Sequence, residues 1–187
     1  MKHFLKLILF ASILISCKKD TEIINNPTPP IINNLICNPS FEISGHGSLN
    51  CWKIVKDFTT FPDTFSTIVP TNGGQFSLRL DGIKHVGWAP FAETYITNLS
   101  GLKVISLSAY VMSLYGGQSI DLTLEHIRGG LVINSKSDYH WAFSGWRKFT
   151  VLDTLSVNND DSLRVKIIQN NGQNSGAYID LVELTTN

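Results

Sequence analysis

The chain has 187 residues, with 15 Lys plus Arg against 15 Asp plus Glu, 43% hydrophobic and only 16% charged. That length sets one domain of ordinary size with room for a short appendage. Balanced charge excludes a nucleic-acid binder, which needs a basic excess to neutralise phosphates. A charged share below the usual ~25%, made up by Ser, Thr, Asn and Gly, describes a polar, non-ionic surface.

Lys2, His3 and Lys6 precede an apolar run from Leu7 to Ile15, broken only by Ser12. A basic start followed by about 7–15 apolar residues has the layout of a secretory signal rather than a membrane span. The run closes on Leu14-Ile15-Ser16-Cys17, which resembles the lipobox of bacterial lipoproteins. That resemblance implies a signal peptide over 1–16 and lipidation of Cys17, palmitate among the acyl chains. A multiply acylated terminus anchors far better than a single chain. Cleavage would take two of the 15 basic residues and no acid, leaving the mature chain two charges negative. Lys18-Lys19-Asp20-Thr21-Glu22 resembles the surface-export signal of lipoproteins of the Bacteroidetes group. The expected location is the outer membrane, exposed at the cell surface. Residues 17–34 then read as a tether, in which Pro27, Pro29 and Pro30 favour an extended spacer of ~3.1 Å per residue.

From Leu35 to Asn187 the pattern is that of strands. Phe76, Leu78 and Leu80 alternate with polar residues, as do Ile105, Leu107, Ala109 and Val111, then Ile120, Leu122 and Leu124, then Leu163, Val165 and Ile167. Period-2 patterning means one buried and one wet face, as in antiparallel sheets. Further strands are expected at Cys51–Val55, Phe65–Val69, Thr94–Leu99, Arg147–Leu155 and Tyr178–Leu184. Turn signals fall between them at Asn72-Gly73-Gly74, Gly116-Gly117, Gly129-Gly130, Asn158-Asn159-Asp160 and Asn170-Asn171-Gly172. About ten strands without a long helix or an internal repeat predict an all-β, two-sheet sandwich or jelly roll.

With Cys17 assigned to lipid, Cys37 and Cys51 remain as an even pair in an exported chain: either a disulfide or two buried thiols. No second CxxC or His pair accompanies them, which speaks against zinc.

Asn34-Leu-Ile-Cys-Asn-Pro-Ser-Phe-Glu42, followed by Trp52, resembles the opening of CenC-type carbohydrate-binding modules (families 4 and 9), within the galactose-binding-like jelly rolls. Gly74-Gln-Phe-Ser-Leu-Arg-Leu80 is similar to the family's Gly-x-x-Ser-Leu strand, and Leu102–Val111 to its central strand. Gly145-Trp146-Arg-Lys-Phe-Thr150 is similar to its Trp-containing turn, and Tyr178-Ile-Asp-Leu-Val-Glu-Leu184 to its closing strand. The matches run in family order across the whole domain. The resemblance implies a poly- or oligosaccharide partner and a structural Ca²⁺ where the first and last strands meet. Glu42 and Asp180 match the family's acidic positions, and backbone carbonyls near Gly74 would add hard oxygens. Leu181 stands where the family often has a second Asp. Without a cation, Glu42 and Asp180 merely solvate strand ends. Trp52, Trp146 and Phe149 match family core positions.

No Gly-x-Ser-x-Gly, HExxH or P-loop pattern occurs, and Gly45-His46-Gly47-Ser48 lacks a carboxylate to orient its ring. Asp121 and Glu125 share one side of a strand but stand ~13 Å apart, outside the ~5–9.5 Å of a glycosidase pair. The chain is therefore read as non-catalytic. Aromatic rings suit the C–H faces of sugars. Tyr110 lies on the wet phase of its strand, and Asp121, Thr123 and Glu125 on that of the next, so together they form one expected polar, aromatic-bearing face. Trp88, Tyr115, Tyr139 and Trp141 fall in Gly- and Ser-rich connections, each either loop packing or a cleft rim. The leading expectation is a tethered, non-catalytic glycan-binding module. A structural or adhesive surface sandwich without a sugar site is the alternative, and a small hydrolase stands behind both.

Overall fold

Alternation along the chain is realised as two stacked antiparallel sheets in a computed structural model. The structure describes residues 33–56, 64–81, 89–113, 118–142, 144–170 and 176–187. A short hairpin joins β1 (Glu42–Ile43) to β2 (His46–Gly47). Sheet I has the order β10 (Arg147–Val157), β7 (Gly101–Ser113), β12 (Gly176–Thr186), β5 (Ser77–Asp81) and β4 (Phe65–Ser66). Sheet II has the order β3 (Lys53–Val55), β6 (Phe91–Ile96), β11 (Ser162–Gln169), β8 (Gln118–Arg128) and β9 (Leu131–Ala142). This is the expected two-sheet jelly-roll β-sandwich, and no helix occurs among the described residues.

The inner phases of the two sheets make the core. Leu78 and Leu80 of β5, Ile105 and Leu107 of β7 and Ile179 of β12 face Leu122 and Leu124 of β8 and Leu163 and Ile167 of β11, all essentially sealed from solvent. Each such side chain stabilises the fold by about 1.5–3 kcal/mol relative to exposure. Phe149 and Trp52 join this core as expected. Trp146 does not: it is half-buried, 6.5 Å from the ring of Tyr178, because its turn lies beyond the sheet edge.

The N-terminal segment is stitched onto β12. Leu35 donates its N–H to the Leu184 carbonyl at 2.9 Å, and Val182 donates to the Pro39 carbonyl at 2.9 Å. The Asn34 side chain donates to the Val182 carbonyl and accepts from the N–H groups of Ile36 and Leu184. Cys37 and Cys51 are joined in a disulfide, the first of the two alternatives. Beside it Trp52 donates from Nε1 to the Asn38 carbonyl at 3.0 Å and packs its ring 4.8 Å from that of Phe41. Phe41 takes a left-handed φ of 54°, costly for a bulky residue, and is held there by complete burial.

Two strand expectations shift, and one strand is unforeseen. The expected strand at Thr94–Leu99 runs over Phe91–Ile96, and that at Phe65–Val69 stops at Ser66. Strand β9 went unpredicted because it is the open edge of sheet II and is largely exposed on both faces, so it carries no apolar alternation.

Candidate functional site

Side chains of sheet II that point away from the core form registered rows across its outer face, because residues two apart along a strand share a side. One row runs Lys53, Glu93, Lys166, Thr123, Ser137, and the next Val55, Phe91, Ile168, Asp121, Tyr139. Beyond these, Ser119 pairs with Trp141 on one side, and Tyr95, Arg164, Glu125 and Ser135 align on the other.

The charges on this face are mutually engaged. Lys53 Nζ meets Glu93 Oε1 at 3.1 Å. Arg164 donates from Nε to Glu125, approaches Glu93 Oε2 with Nη1 at 3.7 Å, and donates from Nη1 to the Tyr95 hydroxyl at 3.2 Å. The Glu125 hydrogen bond is the main reason that the guanidinium sits above even the usual arginine range. Lys166 Nζ lies 4.4 Å from the centroid of Phe91, within cation–π reach. Two groups stand apart: Asp121 Oδ1 and Ser119 Oγ are buried and have no hydrogen-bond partner. A buried acceptor left unpaired costs about 1–3 kcal/mol, which a ligand donor would recover. Next to them, Tyr139 and Trp141 are each half exposed (51%), their rings edge-to-face at 5.8 Å.

Asp121, Glu125, Tyr139 and Trp141 are thus brought onto one face. Tyr139 and Trp141 occupy strand β9 rather than connections. Tyr110 is not with them. It lies on the outer side of sheet I, half-buried, with Lys148 Nζ 5.8 Å from its ring. The chain passes from sheet I to sheet II between β7 and β8, so equal phase on consecutive strands does not mean a common face. Trp88 and Tyr115, like Cys17, lie outside the described residues. Sequence reasoning missed Tyr95, Phe91, Glu93 and Arg164. The alternation of Arg164 and Lys166 was visible, but their neighbours across the sheet were not.

A second polar cluster lies where the first and last strands meet. Glu42 Oε2 accepts the N–H groups of Gln75 and Phe76 at 2.8 and 3.0 Å. Asp180 is fully buried: Oδ1 accepts the Leu181 N–H at 2.7 Å, whereas Oδ2 has no partner. A bulge in β12 between Asp180 and Glu183, with Leu181 at a left-handed φ of 47°, sets this orientation. Burial, with the charge of Glu42 adding to it, pushes the Asp180 carboxyl up to about 7. A Cβ on Gly73 would fall 2.4 Å from Asp180 Oδ2, and one on Gly74 would fall 2.0 Å from Glu42 Oε1. Only glycines leave room for two carboxylates here. An orphaned carboxylate oxygen, a second carboxylate and a cleared backbone fit a hard cation such as Ca²⁺. Its remaining ligands would be carbonyls and water, since no group of three or more acidic, His or Cys side chains converges among the described residues.

Solved structures that share this architecture include several carbohydrate-binding modules. A family 61 module, TmCBM61, solved with β-1,4-galactotriose, is 14% identical, with a TM-score of 0.55 over 82% of this chain and 99% of that one. A family 16 module is 16% identical, with a TM-score of 0.56 over 81% and 99%. A family 4 module is 14% identical, with a TM-score of 0.55 over 81% and 99%. At such identities the likeness is one of fold. No protein-family model and no curated protein matches the sequence.

Proposed function

We propose that this chain is a non-catalytic glycan-binding module, held at the outer membrane through lipidated Cys17 and displayed at the cell surface. The observation that carries the reading is the exposed Tyr139–Trp141 pair beside the unpaired Asp121 Oδ1 on the outer face of sheet II. Aromatic rings accept the C–H face of a sugar, and a buried carboxylate oxygen accepts its hydroxyl proton. The two functions sit side by side on a strand pair held in register. The architecture shared with carbohydrate-binding modules supports the same reading, although fold alone does not assign function. In this reading Ca²⁺ at Glu42 and Asp180 is structural, tying the Gly73–Gly74 turn to the last strand far from the aromatic pair in sequence. A glycan array probed with the purified chain tests the proposal. Binding to a defined set of oligosaccharides, lost on Trp141→Ala with an unchanged melting curve, is the expected result. Blank arrays across plant, algal and host glycans would leave an adhesive surface domain as the better account.

A further inference from the structure

The outer face of sheet II does not end as it begins. Six residues along β8 from Asp121, ~20 Å at strand rise, Ile127 pairs with Ser162 on one side and Val132 on the other. Here the face closes in a recess of about 360 Å³, floored by Ile127 and Val132, flanked by Tyr95 and Arg164, and rimmed by Asp160 and Ser162. The Gly129–Gly130 turn walls its far side. Its volume falls within the range of small-ligand sites.

The recess is rigid for identifiable reasons. Asp161, between the two rim residues, turns inward and is 2% exposed. It accepts Arg128 Nε and Nη2 and the Asn158 N–H, each at 2.8 Å. The Arg128 hydrogen bonds hold its carboxyl well below the usual carboxylate range, so at 2.7 Å it is His126 Nε2 that donates to Asp161. Three of these hydrogen bonds lock the β10–β11 turn to the end of β8, and the fourth, from Asn158, closes the turn on itself. Asp160 and Ser162 are left in fixed positions with side chains that bond nothing among the described residues. Tyr95 is half exposed, its hydroxyl held by Arg164, which Glu125 and Glu93 immobilise in turn. Preorganised groups of this kind bind with little ordering cost.

We propose that this recess is a chain-end subsite, one that receives the terminal unit of an oligosaccharide whose interior lies across the face toward Tyr139 and Trp141. The inference rests on the glycan-binding reading. The Tyr95 ring stacks on the terminal sugar, Asp160 and Ser162 bond its hydroxyls, and Ile127 and Val132 cover its apolar edge. The positive charge of Arg164 is already matched by Glu125 and Glu93, so the terminal unit is a neutral sugar rather than a uronate. The turns at Gly129–Gly130 and Asp160 leave no continuation of the track.

Calorimetric titration of the full-length chain with β-1,4-galactohexaose, xylohexaose and cellohexaose, and with their parent polymers, tests this. Tyr95→Ala and the recess-filling Ser162→Trp should each weaken hexaose binding at least tenfold while changing polymer binding less than twofold. Trp141→Ala should weaken both. Tyr95 is half exposed, and melting curves check that each variant folds. The proposal is overturned if the recess variants weaken hexaose and polymer alike, if they change neither while Trp141→Ala weakens binding, or if polymers bind and no hexaose does. Absence of any glycan binding by the unsubstituted chain would instead remove the glycan reading on which the subsite depends.

Discussion

Chelating Ca²⁺ should lower the melting temperature by several degrees at pH 8 and by little at pH 5, and the reason lies in Asp180. Its carboxyl is buried, one oxygen lacks a partner, and burial raises it from an ordinary 3.8 to about 7. Without a cation the folded state holds that proton more tightly than the unfolded chain does. The associated stability is fully present below pH ~4 and is lost as pH rises through about 7. A bound Ca²⁺ reverses the penalty by occupying the same oxygens. A ligand at one hundred times its dissociation constant stabilises the native state by about 2.7 kcal/mol. For a domain of this size each kcal/mol shifts the melt by about 2–4 °C, so the expected loss on chelation at pH 8 is roughly 5–11 °C. At pH 5 the proton already sits on Asp180 and competes with the metal. Asp180→Asn should abolish the response to Ca²⁺ while making the chelated protein less sensitive to pH between 4 and 7. Differential scanning calorimetry with excess Ca²⁺ and with chelator, at both pH values, reads all of this. Superimposable melts at pH 8 would show that the two carboxylates hold no metal. A variant that still responded to Ca²⁺ would show that the cation binds elsewhere.

Reducing the Cys37–Cys51 disulfide, with a sequence separation of 14, should cost about 3 kcal/mol by loop entropy, seen as a lower melting temperature in reductant. Trp52→Ala should cost about 3–5 kcal/mol because its ring is core, whereas exposed Trp141→Ala should shift stability by no more than ~0.5 kcal/mol; denaturant titration of both variants checks the contrast. Asp161 carries the opposite pH sign to Asp180. Its contribution is present above the ordinary carboxylate range and is lost only as pH falls well below it, so Asp161→Ala should lower the melt at pH 7 and remove part of the acid transition. Cys17→Ala should release the protein from the membrane fraction, as read by fractionation and immunoblotting.

Periodicity was the most informative part of the sequence. Ile105, Leu107, Ala109 and Val111 are buried as their alternation requires, and Asp121 and Glu125 do share one side of β8. Strand pairing was less accessible. Equal phase on consecutive strands predicts one face for Tyr110 and Asp121, and the crossing between sheets separates them. Strand β9 was hidden by its own exposure: burial writes the alternation that periodicity reads, and an edge strand has little to write. The aromatic pair at its end was therefore recognised as chemistry but mislocated as architecture.

The groups that best mark the two candidate sites share a property that no pattern of residue types encodes. Asp121 Oδ1, Ser119 Oγ and Asp180 Oδ2 are each buried and each unpaired, whereas Glu93 is engaged by Lys53, Glu125 by Arg164, and Asp161 by Arg128 and His126. Residue type alone does not separate these five carboxylates. Their separation into satisfied and unsatisfied sets depends on partners 33 to 40 positions away being drawn across by strand register, by the bulge at Leu181, and by two glycines that let Glu42 and Asp180 close in. An unsatisfied buried acceptor is tolerated when a ligand supplies the missing donor or cation. On that argument the aromatic-flanked acceptor of sheet II is suited to a hydroxyl, and the glycine-lined pair at the strand ends to a metal ion. The difference follows from their surroundings rather than from the carboxylates themselves: rings and a neutral balance of charge in one place, a second carboxylate close by in the other.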